Sequence, residues 1–135
     1  MSDQATVIHL IETYRLRWNA RNFDGMAALF TEPSAMMYEQ GPRPVSDQAT
    51  MAAGLRGRFE ALEADGFDRT EIESVDVEMC SATMAIAHLS NLRRLRADHT
   101  VIDAIDAFYI CIKQDDVWRL SVGGACDLGW RDPAR

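Results

Sequence analysis

The sequence predicts an α+β fold in which three helices pack against a strongly bent antiparallel sheet. Apolar residues recur every three or four positions in three segments of the first half of the chain, and they alternate with polar residues in the second half. Helices followed by a run of strands indicate a layered domain, because the sheet must bury its apolar concave face beneath the helices. We therefore expect a cone with an open mouth.

The composition indicates one globular domain. The chain has 135 residues, 47% of them hydrophobic, and a formal charge of −7 from 14 basic and 21 acidic residues. A surplus of acid argues against a nucleic-acid partner. No cationic leader or bilayer-length apolar run is present, so we expect a cytoplasmic protein without membrane contact. We assign residues 1–128 to the domain and 129–135 to a C-terminal tail, which Trp130 could anchor on a neighbouring surface.

Two helices are predicted before residue 33. The apolar side of the first consists of Val7, Leu10, Ile11, Tyr14 and Trp18, and its cap is Ser2, Asp3 or Thr6. The second follows Asn22 and stops before Pro33, with an apolar side made of Phe23, Met26, Leu29 and Phe30. A strand follows at 34–39. The Gly-Pro-Arg-Pro segment at 41–44 indicates a loop or an edge segment, because proline lacks the N–H that a central strand needs.

A third helix and four long strands are predicted in the rest of the chain. The helix begins at Ser46 or Asp47 and ends at Asp65-Gly66, and its apolar side consists of Met51, Leu55, Phe59 and Leu62. Period-two alternation then predicts strands around 75–79 and 84–88, followed by strands at about 100–113 and 117–126. Gln114-Asp115-Asp116 suits a hairpin turn, and Gly123-Gly124 allows the last strand to bend.

Metal and cofactor signals are weak. Cys80, Cys111 and Cys126 lie far apart without CxxC spacing, so we expect reduced, mostly buried thiols. No two histidines have the spacing of metal ligands. We expect no metal and no cofactor.

Two segments resemble the nuclear transport factor 2-like superfamily, which includes ketosteroid isomerase and SnoaL-like polyketide cyclases. The first is the helix-turn-helix segment at 14–30, with its Asn19, Asp24-Gly25 and Ala28-Leu29-Phe30. The second is Ile105-Asp106-Ala107-Phe108 in the penultimate strand, and the order of elements matches over nearly the whole chain. The resemblance implies a cystatin-like cone that forms a homodimer through the outer face of its sheet. This fold serves enzymes, ligand binders and interaction modules alike.

The resemblance also implies a catalytic site. Tyr14 lies where the isomerase has an oxyanion-binding tyrosine, and Asp106 where it has a protonated aspartic acid. Two such donors in a dry pocket would stabilise an enolate. Tyr38 lies where the isomerase has its general base, and a phenol with an ordinary pKa near 10 is a poor base. Glu39 could replace it only through a local bulge, because neighbouring side chains on a strand face opposite sides.

Each candidate also has a plainer interpretation. Tyr14 is either a packing residue or a donor in the pocket, and Asp106 is either a pocket acid or a structural hydrogen-bond acceptor. His88 is in phase with Met84 and Ile86, so it is either a satisfied core histidine or a base in the cone. A cluster of three arginines lies at an expected hairpin tip; they are Arg93, Arg94 and Arg96. The cluster is either exposed or at the rim of a dimer contact, or it is a site that binds an anion.

Two functions remain open. In the first, the cone binds a small, largely apolar, oxygen-bearing molecule, and Tyr14 and Asp106 polarise its oxygen while Glu39 or His88 moves a proton. This would be a cofactor-independent isomerase-, cyclase- or dehydratase-like enzyme. In the second, the protein is a non-catalytic dimeric ligand-binding or interaction module. The residues that we expect to contact the ligand are Trp18, Met36, Tyr38, Phe108 and Trp118.

Overall fold

Three helices pack on a bent sheet, as predicted, and the sheet has six strands because the segment at 41–45 adds one to the five predicted. The computed structural model describes residues 1–132. The helices are α1 (Asp3–Asn19), α2 (Phe23–Ala27) and α3 (Gln48–Glu63). The strands are β1 (Phe30–Tyr38), β2 (Gly41–Val45), β3 (Phe67–Met79), β4 (Met84–Arg96), β5 (Val101–Gln114) and β6 (Val117–Cys126). No helix in this part of the chain is long and apolar enough to cross a membrane.

The strand order across the sheet is β2-β1-β6-β5-β4-β3. The four long strands β3 to β6 form an antiparallel meander, as the alternation predicts. β1 adds to β6 in parallel, and β2 pairs with β1 in an antiparallel hairpin at the edge. Of the two alternatives for 41–44, a loop or an edge segment, the structure shows the edge segment, and Pro42 and Pro44 are tolerated there because one side of an edge strand needs no partner.

Side-chain caps and one tether fix the helices. Ser2 accepts a hydrogen bond from the backbone N–H of Ala5, and Asp47 accepts one from that of Thr50. At the other end of α1, the Asn19 side chain donates to the Thr70 carbonyl (3.0 Å) and accepts from the Thr70 N–H (2.8 Å). This double hydrogen bond holds the end of α1 on β3.

The second helix is shorter than predicted. Asn22 caps it as expected, but α2 ends at Ala27, and the predicted apolar side wrongly included Leu29 and Phe30. The Leu29 carbonyl accepts a hydrogen bond from the Leu120 N–H (2.8 Å), and Phe30 starts β1 opposite Leu120. Pairing with the sheet therefore overrides the helical periodicity, and the first strand starts earlier than the predicted residue 34.

Aromatic rings close one end of the domain. Four of them contact one another mostly edge to face, with ring centroids 4.9 to 6.2 Å apart; they are Trp18, Phe23, Phe59 and Phe67. The cluster joins both long helices to the start of β3, so that the space between helices and sheet is sealed at this end.

The glycine pair of β6 permits close packing across the sheet. A Cβ atom at Gly123 would lie 2.5 Å from the Tyr109 ring, and one at Gly124 would lie 2.5 Å from the Phe108 ring. The two rings occupy opposite faces of the sheet, because consecutive side chains alternate. We call the face that carries Tyr109 the inner face, since the helices cover it, and the face that carries Phe108 the outer face.

Candidate ligand-binding site

A cavity of about 590 Å³ lies between the helices and the inner face of the sheet. Residues of α1 and α3 form one wall, and residues from all six strands form the other. Most of the wall is apolar; its larger apolar members are Trp18, Met36, Met51, Leu55, Ile72, Leu89, Leu92 and Ile105. This volume is within the range typical of sites for small organic molecules.

Two phenols meet in the wall of the cavity. Tyr14 of α1 and Tyr109 of β5 contact each other edge to face, with ring centroids 5.4 Å apart. Burial raises the pKa of Tyr14 well above its ordinary value, and its contact with Tyr109 raises it further. Burial also raises the pKa of Tyr109, while the hydrogen bond from Tyr14 opposes that rise. Both phenols are therefore protonated near neutral pH and can serve as donors.

A third phenol lies beside a guanidinium group. Arg58 of α3 donates to the Tyr38 hydroxyl (3.3 Å), and its guanidinium carbon lies 5.6 Å from the centre of the Tyr38 ring. Both residues line the cavity. The positive charge of Arg58 lowers the pKa of Tyr14 and of Tyr109 against the effect of burial, so its field reaches both buried phenols.

The predicted cluster of Arg93, Arg94 and Arg96 is divided by the structure. Arg94 lines the cavity, and its Nη1 donates to both carboxylate oxygens of Asp103 (2.9 and 3.0 Å). Arg93 lies 3.6 Å from Glu71, and Arg96 donates to the Asp65 carbonyl (2.8 Å). Only Arg94 therefore faces the interior.

Four of the residues predicted for the site line the cavity. They are Tyr14, Trp18, Met36 and Tyr38. The first helix and the first strand therefore present the faces that the sequence indicates.

Asp106 does not converge with Tyr14. Ile105, Ala107 and Tyr109 line the cavity, so the side chain of Asp106 lies on the outer face. Its Oδ1 accepts from the Asn91 N–H and its Oδ2 from the Gly129 N–H, each at 2.9 Å. Asp106 is therefore the structural acceptor of the two interpretations. It fixes the bulge of β4 around Asn91 and the chain segment that follows β6.

The two proposed bases also lie outside the cavity wall. His88 is opposite Phe108 on the outer face, and its Nε2 lies 3.1 Å from Oε1 of Glu78. The Trp130 ring lies near it, at 6.3 Å between centroids, so the described part of the tail returns to the outer face. Glu39 is exposed in the turn between β1 and β2, and no bulge brings it inward.

Two of the expected contact residues point elsewhere. Phe108 covers Gly124 on the outer face. Trp118 is buried, but its indole N–H donates to Asp3 (3.1 Å) at the start of α1, away from the cavity lining. Its role in the described structure is to hold the N-terminus of α1 on β6.

The sequence interpretation missed Tyr109, Arg58 and Arg94 as cavity residues. Tyr109 lies on the face of β5 opposite to that of Asp106, and the two faces are equally apolar. The alternation therefore does not indicate which face lines the cavity. Arg58 precedes the buried Phe59 and had no signal of its own. Of the three, only Arg94 was indicated by the sequence, because an anion-binding site was one of the two interpretations of the arginine cluster.

The fold of this domain is one that other proteins share. A family described as NTF2-like protein (DUF6841) matches residues 3–127. The chain belongs to this family. No curated protein matches the sequence.

Solved structures share the fold of this NTF2-like protein. An NTF2-like protein with a cystatin-like fold from Novosphingobium aromaticivorans superposes with a TM-score of 0.76 at 19% identity, covering 98% of this chain and 86% of that one. An NTF2-like protein of unknown function from Shewanella oneidensis superposes with a TM-score of 0.75 at 14% identity, covering 93% and 100%. A cystatin-like domain of unknown function from Nostoc punctiforme has a TM-score of 0.75 at 19% identity, covering 93% and 78%.

The position of Asp106 predicts how its variant behaves. In Asp106→Asn, the single amide oxygen can still accept from one of the two backbone N–H groups, those of Asn91 and Gly129. The amide NH₂ group then faces the other N–H, which loses its acceptor. We expect the free energy of unfolding to fall by about 1–3 kcal/mol, because a buried N–H loses its partner. Urea unfolding measures this change. Asp76→Asn, at an exposed carboxylate of β3, is the matched control and should change stability by less than about 0.5 kcal/mol. Equal stability of Asp106→Asn and the wild type would contradict this assignment.

The buried phenols predict an alkaline loss of stability. Phenols of the unfolded chain ionise near pH 10, whereas the pKa values of Tyr14 and Tyr109 are raised in the folded protein. Their contribution to stability is complete below about pH 10 and declines as the pH rises toward their folded-state pKa values. Absorbance at about 295 nm should show late-ionising phenols, and Tyr14→Phe and Tyr109→Phe should each remove one of them. Ionisation of all phenols together near pH 10 would refute the prediction.

Proposed function

We propose that this NTF2-like protein binds a small, largely apolar, oxygen-bearing molecule in the cavity between its helices and sheet. The observation that carries the proposal is the cavity of about 590 Å³, whose wall is mostly apolar and contains three phenols. The apolar wall favours an apolar body, and the phenols favour an oxygen acceptor. Both buried phenols are protonated near neutral pH, so each has an O–H group that can donate to a ligand oxygen.

Binding is favoured over catalysis by what lines the wall. The residues of 1–132 that line the cavity include no carboxylate and no imidazole that could take a proton. The Tyr14–Tyr109 pair could polarise a carbonyl group, as in the isomerase-, cyclase- or dehydratase-like alternative. Without a base in the wall, the same pair serves to orient a bound oxygen.

Filling the cavity tests the proposal. Ala107→Leu adds three carbons from the sheet side, and Gly54→Leu adds a side chain from α3, where a Cβ atom meets nothing within 4 Å. Ala61→Leu, at an exposed position of the same helix outside the lining, is the control. Native mass spectrometry detects a retained molecule, and calorimetry measures binding of naphthamide, a neutral aromatic probe.

We expect both filling variants to lose the retained molecule and to bind naphthamide at least about tenfold more weakly, because the ligand loses room and contacts. Their thermal stability should stay near that of the wild type, since the new groups occupy empty space. Ala61→Leu should bind as the wild type does. Equal binding by all four proteins, or no binding and no retained molecule in the wild type, would contradict the proposal.

A homodimer through the outer face is the second part of the proposal. The helices lie on the other side of the sheet, and five apolar side chains of the outer face are only half-buried. These side chains are Ile86, Phe108, Ile110, Ile112 and Val122. Such a surface favours contact with the sheet of a second copy of the chain. Without that contact, the apolar outer face, which no helix covers, would remain exposed to water. The segment 127–131 covers only the part of this face around Asp106 and His88.

Light scattering coupled to gel filtration measures the mass in solution. We expect the wild type to have the mass of a dimer and Ile110→Glu that of a monomer, because a carboxylate would be buried at the centre of the contact. Leu16→Glu, at an exposed apolar residue of α1, is the control and should remain dimeric. Near-ultraviolet circular dichroism checks that the variants fold. A monomeric wild type at every concentration would overturn the dimer.

A further inference from the structure

The charged residues in the cavity wall are all basic. Among the described residues that line it are four arginines, Arg15, Arg43, Arg58 and Arg94, and no Asp, Glu, Lys or His. The whole chain carries 21 acidic and 14 basic residues, so a random sample of its surface would be acidic. The cavity therefore has the sign opposite to that of the protein.

Two of these arginines already have carboxylate partners. Arg94 is paired with Asp103, and Arg15 forms an ion pair with Glu12 and donates to the Thr70 carbonyl (3.3 Å). These carboxylates offset part of the charge of the two arginines, although the charge of Arg94 still lowers the pKa of Tyr109. Both arginines shape the wall, and they are poorly suited to holding a second anion.

The other two, Arg43 and Arg58, have no carboxylate within 4 Å among residues 1–132. Arg43 is exposed on the edge strand β2, where water and salt screen its charge. Arg58 is half-buried, and Tyr38 is the acceptor that the structure gives it. A guanidinium group has five N–H donors, so most of those of Arg58 remain available.

Arg58 and the phenols together form a donor group. The Tyr38 hydroxyl lies 3.3 Å from Arg58, and the charge of Arg58 acts on both Tyr14 and Tyr109. An anion placed between them would receive a charge-assisted hydrogen bond from the guanidinium and a second bond from a phenol. No carboxylate in the described cavity lining would repel it.

We propose that the cavity selects an organic carboxylate, with its apolar body among the methionine, leucine and isoleucine side chains and its carboxylate on Arg58. The planar fork of arginine matches the two oxygens of a carboxylate, which favours this anion. This inference rests on the proposed function and adds the charge of the ligand to it.

A matched pair of probes tests the inference. Naphthoate and naphthamide have almost the same size and shape, and only the first is an anion. Calorimetry with the full-length protein measures the dissociation constant of each. We expect the wild type to bind naphthoate about tenfold more tightly than naphthamide, which is the effect of one charge-assisted bond in a partly dry site.

Two arginine variants of one helix supply the comparison. Arg58→Gln keeps a donor near Tyr38 but removes the charge, so naphthoate binding should weaken more than naphthamide binding and the preference should fall to about threefold or less. Arg56→Gln removes the same charge from α3 at an exposed residue that stacks on Phe23 outside the cavity. It should retain the full preference.

The outcomes separate the two proposals. Equal binding of naphthoate and naphthamide by the wild type would overturn the selection of an anion and leave the ligand-binding proposal intact. A preference that Arg58→Gln and Arg56→Gln reduce equally would also overturn it, because the protein's overall charge would then explain the effect. Binding of neither probe would count against the proposed function itself.

Discussion

The cavity depends on the close approach of the Tyr109 ring to the backbone of Gly123. Any side chain at residue 123 would collide with this ring, so the glycine lets the phenol lie flat against β6 and reach Tyr14. The bend of the sheet, the apolar wall and the pair of phenols then form one unit. The helices close this unit above, and Asn19 and Trp118 hold the two ends of α1 in place.

The two faces of the sheet have separate tasks. The inner face carries the cavity, with its phenols and arginines. The outer face carries Asp106, which accepts from the bulge of β4 and from the segment after β6, and Glu78, which contacts both His88 and Arg131. These contacts hold elements of the fold together, whereas in our proposal Arg58 of the inner face selects the ligand.

Most of the fold could be predicted from the sequence, whereas half of the site could not. The caps at Asn22 and Asp47 and the meander follow from local rules of capping and alternation. The phase of β5 does not, because its two faces are equally apolar: one packs in the cavity wall, and the segment after β6 covers the other only around Asp106. The resemblance to the isomerase predicts an inward Asp106, and Phe108 shares its face of the strand. The small, fully buried Ala85 and Ala87 mark the inner face of β4, which His88 does not share.

A crystal structure of the protein with naphthoate is the decisive test of whether the cavity binds an organic carboxylate through Arg58. It shows both the location of the ring and the partner of the carboxylate. We predict that the ring lies between Met36, Leu89 and Ile105 and that a carboxylate oxygen lies within hydrogen-bonding distance of the Arg58 guanidinium. A ring bound to the outer face of the sheet, or a carboxylate that points away from Arg58 into solvent, would contradict this prediction.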